Sequence, residues 1–254
     1  MISQVIKQLK IGFHPKTIKN KLLHYALTGD EVECVCCGAK YSTFLPAGIQ
    51  KRSNAKCINC GSLERHRSLW MFFKEQNLLT NKPIRLLHVA PEKIFYDQFK
   101  SLPNIEYFPI DLMPDEYSYG INTIQMDVTQ MTFQDNYFDG IICNHVLEHI
   151  REDQKAMREM SRVLKPGGWA ILNTPVNLQK ETTHEDVNLY DPQKQLELFG
   201  QPDHVRVYGR DFLDRVTNAG FTAEVINYVS NFSNNDKFKY GLKDQEAIFY
   251  CSKY

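Results

Sequence analysis

The sequence predicts an α/β fold, in which a largely parallel sheet lies between helices and a small cysteine-rich module precedes it. From about residue 84 onward, short apolar runs alternate with helical patterns, as they do where crossover helices join parallel strands. The last two apolar runs, 221–229 and 246–252, are separated by a polar loop and predict an antiparallel pair. Five of the seven cysteines lie before residue 61, ahead of this alternation.

The pattern divides the chain into an N-terminal helical segment at 1–33, a metal-binding module at 34–70 and an α/β domain at 71–254. In the first segment, Ile2, Val5, Ile6 and Leu9 form an apolar face, which we expect to pack on the protein rather than on a membrane. The expected strands are 84–89, 105–110, 121–126, 137–144, 168–174, 221–229 and 246–252. The expected helices are 62–79, one that starts at 92, 152–164 and 209–219.

The composition limits the classes of protein to consider. The chain has 254 residues, of which 43% are apolar, so it can bury a core and is not disordered. Its formal net charge of zero gives no overall attraction to nucleic acids or membranes. No stretch is apolar for long enough to span a bilayer, and MISQVIKQLKIGF lacks the apolar core of a signal peptide. We therefore expect a cytoplasmic protein with no membrane span; the sequence does not predict its oligomeric state.

Two Cys-x-x-Cys-Gly units, one with Cys34 and Cys37 and one with Cys57 and Cys60, lie about twenty residues apart. Two residues between thiolates let both sulfurs face one tetrahedral ion, and the glycine permits the tight turn that points backbone amides at sulfur. The pattern predicts a structural zinc ion, because four protein ligands leave no open position. Cys36 is the spare cysteine, since pairing 34 with 37 reproduces the second unit. The alternative is a set of free structural thiols.

The metal-binding module is basic, whereas the rest of the domain is acidic. Between residues 34 and 70 the only acidic residue is Glu64, against six basic residues: Lys40, Lys51, Arg52, Lys56, Arg65 and Arg67. Residues 71–254 carry 19 basic and 26 acidic side chains. This asymmetry suits a phosphate-bearing partner. Alternatively, Arg65 and Arg67 form salt bridges to the body of the protein; the sequence leaves both possibilities open.

Acidic and polar residues follow several of the predicted strands. Asp111 ends the second strand, about twenty residues after Val89 ends the first, where a carboxylate can accept the hydroxyls of a ribose. Asp127 follows the third strand, and the fourth runs into His145 and Glu148. The first strand is not followed by G-x-G-x-x-G, which argues against a nicotinamide-dependent dehydrogenase.

Residues 84–175 resemble the class I S-adenosylmethionine (SAM)-dependent methyltransferases, especially the methyltransferase type 11 group. The resemblance lies in D-x-x-F-D-x-x-x-C-x-H-V-L-E-H, from Asp135 to His149, followed by E-x-x-R-V-L-K-P-G-G, which ends at Gly168. The cysteine units, CGSLERHR, LHVAPE and LFGQPDHVRVYGRDF together resemble a subgroup of these enzymes with no assigned substrate. The resemblance implies a Rossmann-like, seven-stranded sheet whose last strand is antiparallel, SAM as cofactor, and methyl transfer.

The loop after the first strand departs from the acidic, glycine-rich loop that is usual in that family. SAM has no pyrophosphate, so the loop need only bring the backbone close and present amides at a helix N-terminus. Ala90 is small, Pro91 suits a first helical turn, and Glu92 is placed to hold the cofactor's ammonium group. We expect a working loop rather than a domain that has lost its ligand. The expected cofactor-binding residues are His88, Val89, Ala90, Glu92, Asp111, Leu112, Asp127, Val128, Asn144 and His145.

The acceptor is expected at the carboxyl ends of the strands, where His149 faces it and Glu148 has a structural role. The insert at residues 175–208 is predicted to cover the substrate, because so long a loop in a compact domain is usually functional. His149 and His204 are candidates to accept the acceptor's proton, and Arg206 to orient an anionic group on the substrate. On the competing account, Arg206 and its charged neighbours only fasten the insert to the helix that follows.

Three functions remain open from the sequence. The first is methyl transfer to a phosphate-rich acceptor, such as RNA or a nucleotide-linked metabolite, with the zinc module helping to hold it. The second is methyl transfer to a glycan or small metabolite, with an architectural zinc module. The third is a non-catalytic binding scaffold. The accepting atom is not predicted.

Overall fold

The structure is a computed structural model that describes residues 23–48, 51–80, 82–117, 122–244 and 247–254. Most of the helix expected over 1–33 therefore lies outside the described residues. The chain divides into two compact units. The first comprises Met1–Met71 and Phe232–Lys243, and the second comprises Phe72–Asn231 and Asp244–Tyr254.

From residue 64 onward, helices and strands largely alternate along the chain. The strands are β1 Val32–Glu33, β2 Lys40–Tyr41, β3 Leu45–Ala47, β4 Arg52–Lys56, β5 Ile84–Val89, β6 Ile105–Asp111, β7 Ile124–Gln125, β8 Phe138–Asn144, β9 Leu164–Asn173, β10 His184–Glu185, β11 Arg206–Val207, β12 Thr222–Ile226 and β13 Ile248–Ser252. The α-helices are α1 Glu64–Glu75, α2 Lys93–Ser101, α3 Pro114–Tyr117, α4 Asp153–Val163, α5 Pro192–Phe199, α6 Phe212–Asn218 and α7 Asn234–Tyr240. A 3-10 turn spans Tyr228–Asn231.

The first unit contains two short antiparallel strand pairs, β1 with β2 and β3 with β4. Residues 232–243, which the sequence pattern assigned to the α/β domain, also belong to this unit. Side chains of the module hold that segment by its backbone: Asn54 Nδ2 donates to the carbonyl of Phe238 at 2.8 Å, and Arg67 donates to the carbonyls of Tyr240 and Gly241 at 2.7 Å each. Every residue has a backbone carbonyl, so hydrogen bonds to carbonyls cannot be read from the sequence. The sequence therefore did not indicate that residues 232–243 belong to the first unit.

The second unit is built on a seven-stranded sheet with the order β12-β13-β9-β8-β5-β6-β7. The five strands β9, β8, β5, β6 and β7 pair in parallel. Within this sheet, as far as the structure describes it, β13 alone runs against its neighbours and is antiparallel to β9 and β12. The predicted α/β class and the antiparallel last strand are therefore confirmed.

Burial on both faces of the sheet explains the nearly continuous apolar runs of the central strands. In β5 the side chains of Leu86 and Leu87 point to opposite faces, and both are fully buried. Helix α4 buries Ala156, Met157 and Met160 on one face, at the spacing of an amphipathic helix. The sheet and its helices thus form one core, and the parallel strand ends remain available for a site.

Three strands differ from their predicted limits by three residues or more. Strand β12 ends at Ile226 instead of residue 229. Strand β7 spans two residues rather than six, and β9 begins at Leu164, so that the Lys-Pro-Gly-Gly stretch lies within the strand instead of ending the preceding helix. Phe138 pairs with Leu164, and the register shifts before Gly140 pairs with Trp169, which accommodates the glycines. None of the described helices is both long and apolar enough to cross a membrane.

Candidate active site

A cavity of about 700 Å³ opens at the carboxyl ends of β5, β6 and β8 in the second unit. This is the edge at which parallel α/β sheets bind their ligands, and the volume is that of a typical cofactor site. The cavity is lined by Val89, Ala90, Asp111, Leu112, Met113, Met126, Asp127, Val128, Thr129, His145, Val146, His149, Ile150, Arg151, Glu152 and Asp203. Seven of the ten predicted cofactor residues, together with His149, therefore meet around one space.

Two residues of the cavity wall have a backbone conformation that favours glycine. Ala90 follows β5 with φ of +46°, and His145 follows β8 with φ of +54°. Their amides donate to Ile110 O at 2.8 Å and to Asn173 O at 2.7 Å, so adjacent strands hold both turns. A non-glycine residue in this conformation costs about 1–2 kcal/mol, and such strain is concentrated at functional sites. Alanine thus occupies a turn that glycine would fit without strain.

Asp111 and Asp127 place carboxylates in the cavity wall at the ends of β6 and β7. Asp111 is only 8% exposed, and its Oδ1 accepts the amide of Met113 at 2.9 Å. Asp127 is exposed, and its Oδ1 accepts the amide of Thr129 at 2.8 Å. Each turn therefore orients its carboxylate before any ligand binds, as a preformed binding site requires.

His88, Glu92 and Asn144 form a separate polar group, outside the set of described residues that line the cavity. His88 is fully buried; its Nδ1 is 2.8 Å from the hydroxyl of Tyr107, and its Nε2 is 3.5 Å from Glu92 Oε2. The same Glu92 oxygen accepts Asn144 Nδ2 at 3.2 Å. The prediction that His88 contacts the cofactor is therefore wrong, because its ring packs among aromatic side chains. Glu92, expected to hold the ammonium group, instead bridges His88 and Asn144.

Glu148, His149 and His204 converge beside the cavity. One ligand atom from each lies within 4.8 Å of the others. The rings of His149 and His204 are nearly perpendicular, with centroids 4.6 Å apart. His149 Nδ1 is 3.3 Å from Asp203 Oδ2. Burial lowers the pKa of His204, and the neighbouring His149 lowers it further, so His204 is neutral near pH 7 and keeps a lone pair on its ring.

Glu148 is a buried carboxylate at the centre of this group and is only 1% exposed. Its Oε2 accepts Thr174 Oγ1 at 2.9 Å, and its Oε1 is 3.5 Å from His145 Nδ1. Burial alone would raise the pKa of Glu148, but the hydrogen bond from His145, a backbone hydrogen bond and the charges of His145 and His149 together outweigh it, and the pKa lies below the ordinary value. The group is thus built around a buried negative charge.

The insert brings His204 to this position. Strand β10 pairs with β11, so the two ends of the insert return to the same place. The amide of Val205 donates to the carbonyl of Glu148 at 3.0 Å, and Gln195 Nε2 from α5 donates to the carbonyl of His204 at 3.0 Å. Arg151, in the cavity wall, donates to Leu189 O at 3.2 Å and stacks on Tyr190. The insert therefore contacts the rim of the cavity along two of its segments.

Arg206 is a structural residue of the insert. Its side chain has no exposed surface, and its Nε donates to Glu185 Oε2 at 2.9 Å. Nη1 donates to Leu147 O at 2.9 Å and to the carbonyl of Ile150, and Nη2 donates to Arg151 O at 3.0 Å. The expectation that Arg206 orients a substrate anion is therefore corrected, because all three guanidinium nitrogens already donate to the protein.

The four cysteines predicted as metal ligands come together in the first unit, with their sulfurs within 4.8 Å of one another. Cys34 Sγ lies 3.6 Å from Cys60 Sγ, and Cys37 Sγ lies 3.8 Å from Cys57 Sγ. A zinc ion bound at about 2.3 Å to four tetrahedral sulfurs places them about 3.8 Å apart, whereas a disulfide needs about 2.05 Å. The observed separations therefore fit one zinc ion and exclude disulfides among these four residues.

The two cysteine units have the same backbone geometry. In the first, Gly38 N donates to Cys34 O at 2.7 Å with φ of +71° at Gly38. In the second, Gly61 N donates to Cys57 O at 3.0 Å with φ of +74° at Gly61. Contacts with other thiols, Cys36 first, lower the pKa of Cys34, whereas contacts with Cys34 and its neighbours raise the pKa of Cys57. Such a cluster favours shared thiolate charge, which a cation would neutralise.

The basic residues of the module are partly used within it. Arg67 is fully buried; besides the two bonds to residues 240 and 241, it donates to Ala55 O and Ser62 O at 2.8 Å each and lies over the Phe44 ring. Arg52 Nε pairs with Glu64 Oε1 at 2.8 Å. Arg67, for which the sequence left salt bridges to the body and a phosphate-bearing partner both open, instead donates to carbonyls of its own unit, and Arg52 is engaged by Glu64 within that unit.

Comparisons with known proteins agree with this geometry. Residues 103–172, which run from β6 to β9, match the methyltransferase domain family. The chain has a class I SAM-dependent methyltransferase domain. A curated relative, the ubiquinone/menaquinone biosynthesis C-methyltransferase UbiE of Yersinia enterocolitica, is 44% identical over 138 residues, which cover 53% of this chain and 54% of that protein. The chain thus spans about half the length of the curated relatives it matches.

A solved SAM-dependent methyltransferase from Archaeoglobus fulgidus shares the fold of this methyltransferase domain. Its TM-score is 0.50 at 12% identity, and the alignment covers 76% of this chain and 95% of that one. At that identity the similarity concerns the fold alone. It supports the topology of the seven-stranded sheet and carries no information about the acceptor.

Several residues of the methyltransferase cavity were not predicted. Met113, Met126 and Thr129 directly flank the predicted carboxylates in sequence, so a strand-end signal extended by two residues would have included them. Asp203 reaches the cavity only because the insert folds back, and its place beside His149 had no local sequence signal.

Proposed function

We propose that this protein binds SAM in the strand-end cavity and transfers a methyl group to an acceptor that enters beside His149. The observation that carries the proposal is the arrangement of Ala90, Asp111, Asp127 and His145 around one cavity at the carboxyl ends of the parallel strands. Asp111 is placed to accept the ribose hydroxyls, and Asp127 to accept the adenine amine. SAM supplies a methyl group on a sulfonium that is already activated for displacement.

The polar groups near the cavity fit the amino acid portion of that cofactor. Asn144 Oδ1 is buried and has no hydrogen-bond partner among the described residues. It lies at the carboxyl end of β8, directly before His145 in the cavity wall. A buried acceptor without a donor costs about 1–3 kcal/mol, and an ammonium group would relieve that cost. We therefore assign the ammonium contact to Asn144, with Glu92 holding the Asn144 amide in place.

The protein's contribution to methyl transfer is alignment and exclusion of water. An in-line displacement at a sulfonium needs the acceptor held opposite the departing sulfur more than it needs a strong acid or base. The insert supports this function, because its contacts with Glu148 and Arg151 keep it at the cavity rim. We propose that residues 175–208 cover the acceptor, and that His149 and His204 face it.

We propose that the acceptor is a small metabolite or a glycan rather than RNA, and that the Cys34, Cys37, Cys57 and Cys60 site holds a structural zinc ion. This proposal is supported by two arginines of the first unit. Arg52 pairs with Glu64 and Arg67 is buried, so two of the six basic residues contribute little to the expected phosphate-binding surface. Four thiolate ligands leave no coordination position for a substrate. One relative is named a ubiquinone/menaquinone biosynthesis C-methyltransferase, and ubiquinone and menaquinone are small molecules.

Transfer of labelled methyl groups into fractionated cell extract tests this function. The zinc-loaded full chain is incubated with SAM labelled in its methyl group, and the products are treated with nuclease, glycosidase or neither. We expect label in a nuclease-resistant fraction, and much less of it with Asp111→Ala at a limiting concentration of SAM. Label that nuclease releases would identify RNA as the acceptor. Absence of both label and SAM binding would favour the non-catalytic scaffold.

A further inference from the structure

We infer that Glu148, His149 and His204 form a second metal site, which binds one divalent transition-metal ion at the rim of the cofactor cavity. The three side chains each offer one ligand atom, and these atoms lie within 4.8 Å of one another. Ligands held at about 2.0–2.2 Å from an ion lie roughly 3–4 Å apart, so small side-chain rotations close the site. This site is distinct from the four-cysteine cluster, which lies in the other unit.

The surroundings of each ligand resemble those that support bound metals. Asp203 Oδ2 lies 3.3 Å from His149 Nδ1, which is the carboxylate–histidine arrangement that fixes a ring and leaves Nε2 for an ion. Thr174 Oγ1 donates to one oxygen of Glu148 at 2.9 Å. Gln195 holds the backbone of His204 through its carbonyl. All three ligands are thus positioned by a second layer of hydrogen bonds or ion pairs.

The electrostatics of the group also favour a cation. Glu148 is a carboxylate with almost no solvent contact, and Asp203 adds a second negative charge nearby. The basic side chain in this part of the cavity wall, Arg151, donates to Leu189 O and stacks on Tyr190 instead of pairing with Glu148. A buried carboxylate is costly unless it is paired: His145 Nδ1 lies 3.5 Å from one oxygen of Glu148, and a divalent ion would add a second positive charge.

The donor set indicates the class of metal and of acceptor. Two imidazoles and one carboxylate with open positions suit Fe²⁺, Mn²⁺, Co²⁺, Ni²⁺ or Zn²⁺, whereas Mg²⁺ and Ca²⁺ prefer oxygen ligands. One of the three ligands, His149, lines the cavity beside which the proposed function places the acceptor. This deepens that proposal: an acceptor held by such an ion presents oxygen atoms, as a hydroxyl or carboxylate does. The metal site itself does not depend on methyl transfer.

Cobalt titration of the zinc-loaded full chain tests the site. Co²⁺ bound to nitrogen and oxygen gives visible ligand-field bands without the sulfur-to-metal charge-transfer band that thiolate ligands produce. We expect one Co²⁺ per chain without the thiolate band, and at least about 100-fold weaker binding in Glu148→Gln and in His204→Gln. The matched control is His184→Gln, in the same insert but packed on Phe199 outside the cluster, which should bind Co²⁺ as the wild type does.

Two results would overturn the inference. One is cobalt binding that shows only the thiolate band, which would place the ion in the cysteine cluster. The other is cobalt affinity unchanged in both Glu148→Gln and His204→Gln. Calorimetry with S-adenosylhomocysteine on the same preparations confirms that each variant is folded. Cofactor binding without Co²⁺ binding would refute the metal site alone, whereas Co²⁺ binding without cofactor binding would refute the proposed function alone.

Discussion

His204 lies edge-on to His149, with the ring centroids 4.6 Å apart, although 55 positions separate them in the chain. The contact exists because the backbone of Val205 donates to the carbonyl of Glu148 and thereby fixes the end of the insert beside the strand-end turn. The same arrangement buries Arg206 under the turn. The insert therefore both stabilises the protein and supplies His204 to the site. Mutations of different residues can test these two roles separately.

Replacement of Arg206 by alanine should destabilise the protein by about 3–5 kcal/mol. The change removes one of the two arginines that pair with Glu185 and leaves buried carbonyls without their donor, and removing one partner of a buried ion pair has a cost of that size. Arg210→Ala, which removes an exposed ion pair with Glu181, should change the free energy of unfolding by less than about 1 kcal/mol. Denaturant unfolding measures both. If Arg206→Ala is as stable as the wild type and loses only methyl transfer, the result would support a role of Arg206 in substrate binding.

Low pH should weaken the ion pairs of Glu185 with Arg206 and Arg215. Burial raises the pKa of Glu185, but the hydrogen bonds and positive charges of Arg215 and Arg206 together outweigh it, so the pKa in the folded protein is lowered. A lowered pKa contributes stability above the unfolded-state pKa of about 4.3, and this contribution is lost as the pH falls through the folded-state pKa. The stability difference between wild type and Glu185→Gln should therefore be largest near pH 7 and shrink below about pH 4. A difference that is constant between pH 7 and pH 3 would contradict this.

Ala90→Gly should leave stability unchanged or raise it by up to about 1 kcal/mol. Glycine removes the cost of the positive φ but adds backbone entropy to the unfolded chain, and the two effects nearly offset each other. The comparison is Ala156→Gly in α4, where a buried methyl and helix propensity are lost, and stability should fall by about 1 kcal/mol or more. Equal destabilisation by the two glycines in denaturant unfolding would show that the turn at Ala90 is unstrained.

Zinc should be lost from Cys57→Ser and retained by Cys36→Ser. Cys57 belongs to the four-sulfur cluster, whereas Cys36, although buried and close in sequence, is directed at the carbonyl of His66 at 3.8 Å. Metal binding contributes to folding at such sites, so loss of zinc should also lower the melting temperature. Elemental analysis of protein purified without chelators should give one zinc per chain for the wild type and for Cys36→Ser. Zinc-free wild-type protein would refute the structural zinc.

The sequence predicted the features that depend on local pattern. The alternation of strands and helices, the grouping of the cysteines and the carboxylates after β6 and β7 all follow from the spacing of residue types. The partners of Glu92 and Arg67 were not predicted, and a structural role for Arg206 was only the competing account, because each polar head is directed at a partner distant in sequence or at a backbone carbonyl. A charged residue looks the same in the sequence whether its side chain binds a ligand or another part of the same protein.

The contact between His204 and Glu148 was also not predicted, because it joins residues that are distant in sequence. The sequence pattern gave Glu148 a structural role and left His204 and His149 as alternatives. The pairing of β10 with β11, which are two residues each, and the bond from Val205 to the carbonyl of Glu148 bring His204 to the other two residues. Pairs that short have no periodicity from which they could be predicted.

Calorimetric titration with S-adenosylhomocysteine tests the central claim, cofactor binding in the strand-end cavity, most directly. We expect the wild type to bind one equivalent. Asp111→Ala should bind about 2–3 kcal/mol more weakly, which is roughly 30- to 150-fold, because a charge-assisted contact is lost. The matched control, Asp115→Ala, changes an exposed carboxylate in the adjacent helix α3 and should bind as the wild type does. Absence of binding to the wild type, or equal affinity in Asp111→Ala, would contradict the account.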